Sequence, residues 1–145
     1  MSSPEPVIGI DLGTTNSCVS VVIDGEVHVV PDESGSPLQS SVVAFLGDGS
    51  VVVGNQAKHE AITDPLNTVF SAKRLIGRSF DSSQVQRAVR TLPYQVARGK
   101  DLQPFIEIRG EKYGLPEVSG IVLRRMKDIA GSYLGQGVEQ AVIFL

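Results

Sequence analysis

VIGIDLGTTNSCVSVVIDGEVHVV, residues 7–30, decides the reading of this chain. Val7 to Asp11 is a short apolar run of strand length, and Cys18 to Ile23 is a second strand, rich in β-branched residues. Asp24-Gly25 is a hairpin turn signal, and Glu26 to Val30 gives a third strand. Strands joined in this way form an antiparallel meander. Its unusual part is the connection Leu12-Gly13-Thr14-Thr15-Asn16. A carboxylate, Asp11, ends the first strand. Gly13 lets the chain turn with its amides exposed. Thr14 and Thr15 add hydroxyls. Convergent N–H and O–H donors make an anion nest, and a nearby carboxylate can hold a hydrated Mg²⁺. The same residues also read as an ordinary polar hairpin turn with an aspartate at its edge.

Other phosphate motifs do not apply. There is no G-x-x-x-x-G-K-S/T segment, and Gly135-Gln136-Gly137 lacks the last glycine of a dinucleotide fingerprint and follows a helix. Residues 1–6 read as a short tail. Pro31 to Ser40 is a loop, Ser41 to Leu46 a strand, Gly47-Asp48-Gly49 a turn and Val51 to Val53 another strand. Asn55 is placed to cap a short helix that stops before Asp64-Pro65. A second helix is expected over Asn67 to Ile76, with Gly77 after it. Asp81 and Gln84 resemble a capping box. Tyr94 to Tyr113 alternates and breaks at Gly99 and Gly110, which suggests two or three strands. Pro116 to Leu134 is the longest helix, with Val118, Val122, Met126, Ile129 and Tyr133 on one apolar face and Gly135 closing it. Gln140 to Leu145 begins a buried strand, so helix and strand read as half of a β-α-β unit.

The 145 residues fit one domain or a piece of one. Lys and Arg number 13 against 16 Asp and Glu, a net charge of −3, which argues against a nucleic-acid partner needing a basic face. Arg124, Arg125 and Lys127 read as the solvated side of a helix. With 41% hydrophobic and 20% charged residues the composition is that of a folded chain. The one cysteine, Cys18, excludes an internal disulfide, and no stretch approaches a bilayer span. A soluble, cytoplasmic protein with no membrane partner is the expectation. Cys18 reads as a packed small hydrophobe rather than a nucleophile. His28 and His59 lie far apart without ligand-type neighbours, which argues against a metal site. Lys73, in FSAKRLIGRSF, is either a solvated helix charge or an ammonium aimed at phosphate.

With these residues in view, the sequence resembles the DnaK-type heat-shock chaperones. IGIDLGTTNSCV (8–19) is similar to that family's opening motif. SVVAF (41–45), VGNQAK (53–58), DPLNTVFSAKRLIGRSF (64–80) and PEVSGIVLRRMKDIAGSYLG (116–135) continue the likeness in order. The resemblance implies an α/β fold, part of an actin-like ATPase lobe. Residues 1–39 and 116–145 would form an incomplete ribonuclease H-like core, and 40–115 an inserted α+β subdomain. It implies ATP and Mg as cofactors. Asp11 would organise Mg²⁺ through water, Gly13, Thr14, Thr15 and Asn16 would form the phosphate loop, and Lys73 would be the catalytic lysine. The implied partners of the full-length family are unfolded client proteins, J-domain co-chaperones and nucleotide-exchange factors.

Two departures stand out. Where the family has a segment like G-x-R-x-T-P-S, this chain has Gly35-Ser36-Pro37-Leu38-Gln39-Ser40-Ser41, without the arginine and the Thr-Pro pair. The last strand is cut at Leu145, and no Gly-Gly pair supplies a second phosphate loop. The expectation is a truncated ATPase lobe, a weak nucleotide binder with negligible hydrolysis alone. The alternatives are a non-catalytic partner-docking module and a small actin-like or sugar-kinase relative, the latter opposed by the FSAKRLIGR block.

Overall fold

A computed structural model describes residues 6–145; residues 1–5 of the expected tail lie outside the described residues. Strands β1 (Val7–Leu12), β2 (Asn16–Ile23) and β3 (Glu26–Val29) form the expected meander. Asp24 (φ 51°) and Gly25 (φ 79°) both have positive φ, the backbone a tight two-residue hairpin needs. A two-residue strand, β4 (Gln39–Ser40), pairs with Asn16 and Ser17 of β2, inside the segment expected to be loop.

A second sheet has the order β6-β5-β7, from β5 (Val42–Phe45), β6 (Val51–Val53) and β7 (Thr68–Phe70). Here the structure corrects the sequence reading. Asn67 to Ile76 is not a helix. Thr68, Val69 and Phe70 pair antiparallel with β5, as β-branched and aromatic residues favour. Ser71 then takes φ 59°, and Ala72–Leu75 forms a single 3₁₀ turn. The preceding helix is also shorter than expected: Gly54–His59 is 3₁₀, and only Glu60–Thr63 is α-helical (α1). Asn55 does not cap it. Its side chain accepts from the Ser40 amide and donates to the Leu38 carbonyl, tying β4 down instead.

The third sheet has the order β10-β9-β8, from β8 (Gln95–Arg98), β9 (Pro104–Ile108) and β10 (Glu111–Gly114). Ahead of it lies α2 (Ser83–Thr91), capped by Ser82 through the Val85 amide rather than by an Asp81–Gln84 box.

The long helix α3 (Leu115–Leu134) ends, as expected, at a left-handed Gly135. Val118, Val122, Met126 and Ile129 are buried, whereas Tyr133 at the same spacing is exposed, and Leu134 beside it packs on the first sheet's cluster instead. Met126, Ile129 and Ala130 pack on Ile8, Ile10, Val19 and Val21 of the first sheet. The N-terminal half, with Leu115, Val118 and Val122, joins a second cluster containing Val43, Val69, Val96 and Ile106. One helix thus bridges the meander and the smaller sheets. Arg125 is no solvated charge: its guanidinium makes two bonds to the Glu33 carboxylate, while Arg124 and Lys127 are exposed.

Strand β11 (Gln140–Phe144) runs parallel to β1, completing the order β11-β1-β2-β3. The strand exists as expected, but it is not buried: all five residues are exposed. Pairing satisfies one edge of its backbone without covering its side chains.

Candidate functional site

The β1–β2 connection is a tight loop of Gly13, Thr14 and Thr15. Leu12 and Ser17 form the last pair of the hairpin. A side chain at residue 13 would sit 2.1 Å from the Asn16 carbonyl oxygen, so only glycine fits. Asp11 is exposed one residue before the loop's rim, flanked in register by Cys18 and Phe144. Gly13 and Thr14 are half-buried, Thr15 and Asn16 exposed. Asn16 is the first residue of β2 and pairs with Ser40, so its backbone is part of the sheet as well as of the loop.

Lys73 comes to this loop from a distance of 61 residues in sequence. Its ammonium donates to the Leu12 carbonyl at 2.8 Å. The 3₁₀ turn of Ala72–Leu75 makes this contact, after the left-handed Ser71 redirects the chain from β7. The expected helix was therefore the wrong vehicle for Lys73. The juxtaposition of Lys73 and the loop still holds.

A cavity of about 20 Å³ separates these parts, lined by Leu12, Gly13, Thr14, Ser41, Lys73 and Ser119 among others. It has room for a single water. That space is too small to admit a phosphate. Larger concavities lie elsewhere. The largest described, about 740 Å³, is an open groove between β6 and α3 that includes Val52, Ile121 and Arg124. It does not include the loop residues or Lys73.

The donor set matches an anion with a hydrated cation. The candidate donors are one ammonium, two hydroxyls and the loop amides, and one exposed carboxylate, Asp11, precedes the loop in sequence. Mg²⁺ keeps several waters and needs only one or two carboxylates beside phosphate oxygens. Among the described residues no group of three or more His, Cys, Asp or Glu forms a ready-made metal cage. Asp11 fits water-mediated contact better than direct caging.

Cys18 lies beside the site on β2. Burial pushes its thiol up, and the Asp11 carboxylate adds to the shift. Both effects disfavour the thiolate a nucleophile requires, in keeping with a packing role.

Sequence reasoning missed Ser17 and Ser41. Ser17 is buried under the loop, and Ser41 touches it from the segment between β4 and β5. Both serines lie in blocks that carry the family likeness, but neither block says that the two side chains meet; only the fold shows it.

No helix among the described residues is long and apolar enough to cross a membrane. A family model described as Hsp70 protein matches residues 7–145, from the first residue of β1 through the end of β11. With that match over nearly the whole length, the chain belongs to the Hsp70 family.

Proposed function

We propose that this chain is the phosphate-binding part of an ATP-dependent chaperone's ATPase domain, built as part of an actin-like lobe. The reading divides it into a ribonuclease H-like core of residues 1–39 and 116–145 and an inserted subdomain of 40–115. In support, the sheets β6-β5-β7 and β10-β9-β8 both lie within 40–115, and neither shares a strand with the first sheet. The boundary cuts β4, which pairs with β2.

One observation carries the functional reading: the Lys73 ammonium at the Leu12 carbonyl, at the base of a loop shaped by Gly13. A lysine on a separate element, held at a loop of amides and hydroxyls, is an arrangement for a phosphate chain. Bound Mg²⁺ would neutralise charge on the phosphates. Asp11, next to the last residue of β1, would hold the hydrated cation through its waters. Thr14 and Thr15 donate hydroxyls to phosphate oxygens. Lys73 supplies a fixed positive charge where negative charge grows during phosphoryl transfer. Clients, J-domain co-chaperones and nucleotide-exchange factors are the partners that this reading implies for full-length members of the family, with a cytoplasmic location.

The donors come from one side of the nucleotide, so affinity on the order of millimolar is expected, about half of the binding energy of a micromolar site. Hydrolysis by these 145 residues alone is expected to be negligible, because in-line geometry and water exclusion need groups on the far side of the nucleotide as well. The test is a titration of Mg-ATP into ¹⁵N-labelled protein. Shifts confined to residues 11–16 and 73, lost in Asp11→Ala and Lys73→Ala, are expected. A folded chain with no loop response overturns the reading.

A second reading has one specific observation behind it. Val7, Val22, Val27, Val29, Val142 and Phe144 are all exposed on one face of the first sheet. Such a face suits a partner-docking module, and a chain that captures partners yet ignores Mg-ATP would favour it.

A further inference from the structure

Ser41 fastens the β1–β2 loop at two points. Its hydroxyl donates to the Gly13 carbonyl at 2.8 Å, and its amide donates to the Thr15 carbonyl at 2.8 Å. A serine hydroxyl has one proton, and here Gly13 receives it. In the 2.8 Å contact between the Ser41 and Ser17 hydroxyls, Ser17 is therefore the donor. Ser17 is buried, so the Ser41 hydroxyl is held from behind.

The orientation of the loop follows from peptide geometry. In a planar trans peptide the C=O and N–H point in opposite directions. Turning the Gly13 carbonyl toward Ser41 turns the Thr14 N–H away from it. Turning the Thr15 carbonyl does the same for the Asn16 N–H. Two carbonyls that would repel an anion are thus occupied on the inner side, and the matching amides face the other way.

Ser41 itself is anchored. The Ser40 amide and hydroxyl donate to Asn55 Oδ1 at 2.9 and 3.2 Å. The Asn55 amide donates to Gln39 Oε1 at 3.3 Å, and Gln39 Nε2 donates to the Asp32 carboxylate at 2.6 Å. The segment that lacks the arginine and the Thr-Pro pair is therefore tied on both sides by its own side chains.

We infer that Ser41 is a positioning residue, whose hydroxyl sets the Gly13 peptide so that the loop presents amides rather than carbonyls to a phosphate. Ser41 does not touch the nucleotide; it acts through Gly13 and Thr15. The ligand in this inference rests on the nucleotide reading above, whereas the geometry does not.

The test compares the parent chain with Ser41→Ala and Ser41→Thr by Mg-ATP titration, backbone order parameters of residues 13–16 and thermal melting. Ser41→Ala keeps the backbone bond to Thr15 and removes only the hydroxyl. It is expected to weaken Mg-ATP binding roughly tenfold. Its order parameters at residues 13–16 should fall from ~0.85 toward ~0.6, with β1 and the rest of β2, from Ser17 on, unchanged. Ser41→Thr, which keeps the hydroxyl, should restore both. Affinity within about twofold of the parent in Ser41→Ala overturns the inference, as does failure of Ser41→Thr to restore it. If the parent binds no Mg-ATP, the nucleotide reading falls and the order parameters alone decide: an unchanged loop in Ser41→Ala overturns the positioning role, and a loosened one supports it. Should Ser41→Ala not fold, Ser41→Cys, a weaker donor of similar bulk, is judged by the same criteria.

Discussion

Both faces of the first sheet carry branched apolar residues, and on the meander these have opposite fates. On the inner face Ile8, Ile10, Val19 and Val21 are almost wholly removed from water beneath α3. On the outer face Val22 is 65% exposed, Val27 71% and Phe144 64%. Alternation along β1 and β2 assigns residues to one face or the other. It does not say which face a helix will cover. The inner face contributes to stability here, and the outer face is apolar area still available for burial.

The largest effect that could break this contrast is on the inner face. Met126→Ala, at a fully buried position, should cost about 2–5 kcal/mol in urea unfolding. Val27→Ala on the outer face should stay within about 0.5 kcal/mol. Equal costs would mean that the outer valines are buried in solution, by self-association for instance. A sharper version replaces Val22 and Val27 with threonine and follows sedimentation. Unchanged sedimentation at an unchanged unfolding midpoint is expected; a large loss of stability would refute the exposed face.

Smaller effects belong to the polar segment after β3. Glu33→Gln breaks the bidentate pair with Arg125, yet Glu33 is largely exposed, so a loss of under about 1 kcal/mol is expected. Asp32 gives a pH signature. The Ser34 hydroxyl first of all, then the Ser36 amide and the Gln39 side chain, outweigh slight desolvation and hold its carboxyl at about 2, below the usual 3.8. A lowered folded-state value means stability that is present above pH 3.8 and lost as pH falls toward 2. Asp32→Asn should flatten that part of the acid unfolding profile. A profile identical to the parent's would show that Asp32 keeps its ordinary affinity for protons.

Legibility followed the range of the forces involved. The meander was readable because β-branched runs and Asp24-Gly25 act locally. The face of α3 was readable from its period, up to Tyr133, which is exposed while its neighbour Leu134 packs on the first sheet's cluster. Asn67 to Ile76, expected as a helix ending at Gly77, is a strand and a 3₁₀ turn because Thr68–Phe70 pair with β5, a partner more than twenty residues away. Asn55 was misread as a cap because its side chain found Ser40 and Leu38 instead. Within the candidate site, Asp11, Gly13, Thr14, Thr15 and Asn16 were legible as one contiguous loop. Lys73 was flagged, but neither its supporting element nor its carbonyl contact could be read from spacing.

The sequence by itself determined the meander, the glycine at residue 13, the long amphipathic helix and, through its ordered blocks, membership of the Hsp70 family. These depend on local backbone preferences and short-range order, which residue types carry directly. Tertiary structure alone decided which sheet face lies under α3, that β11 pairs with β1 while staying exposed, and that Lys73, Ser17 and Ser41 meet at the loop. Those outcomes depend on hydrogen bonds and burial between segments far apart in the chain. A serine or lysine in the sequence carries no mark of the carbonyl it will reach.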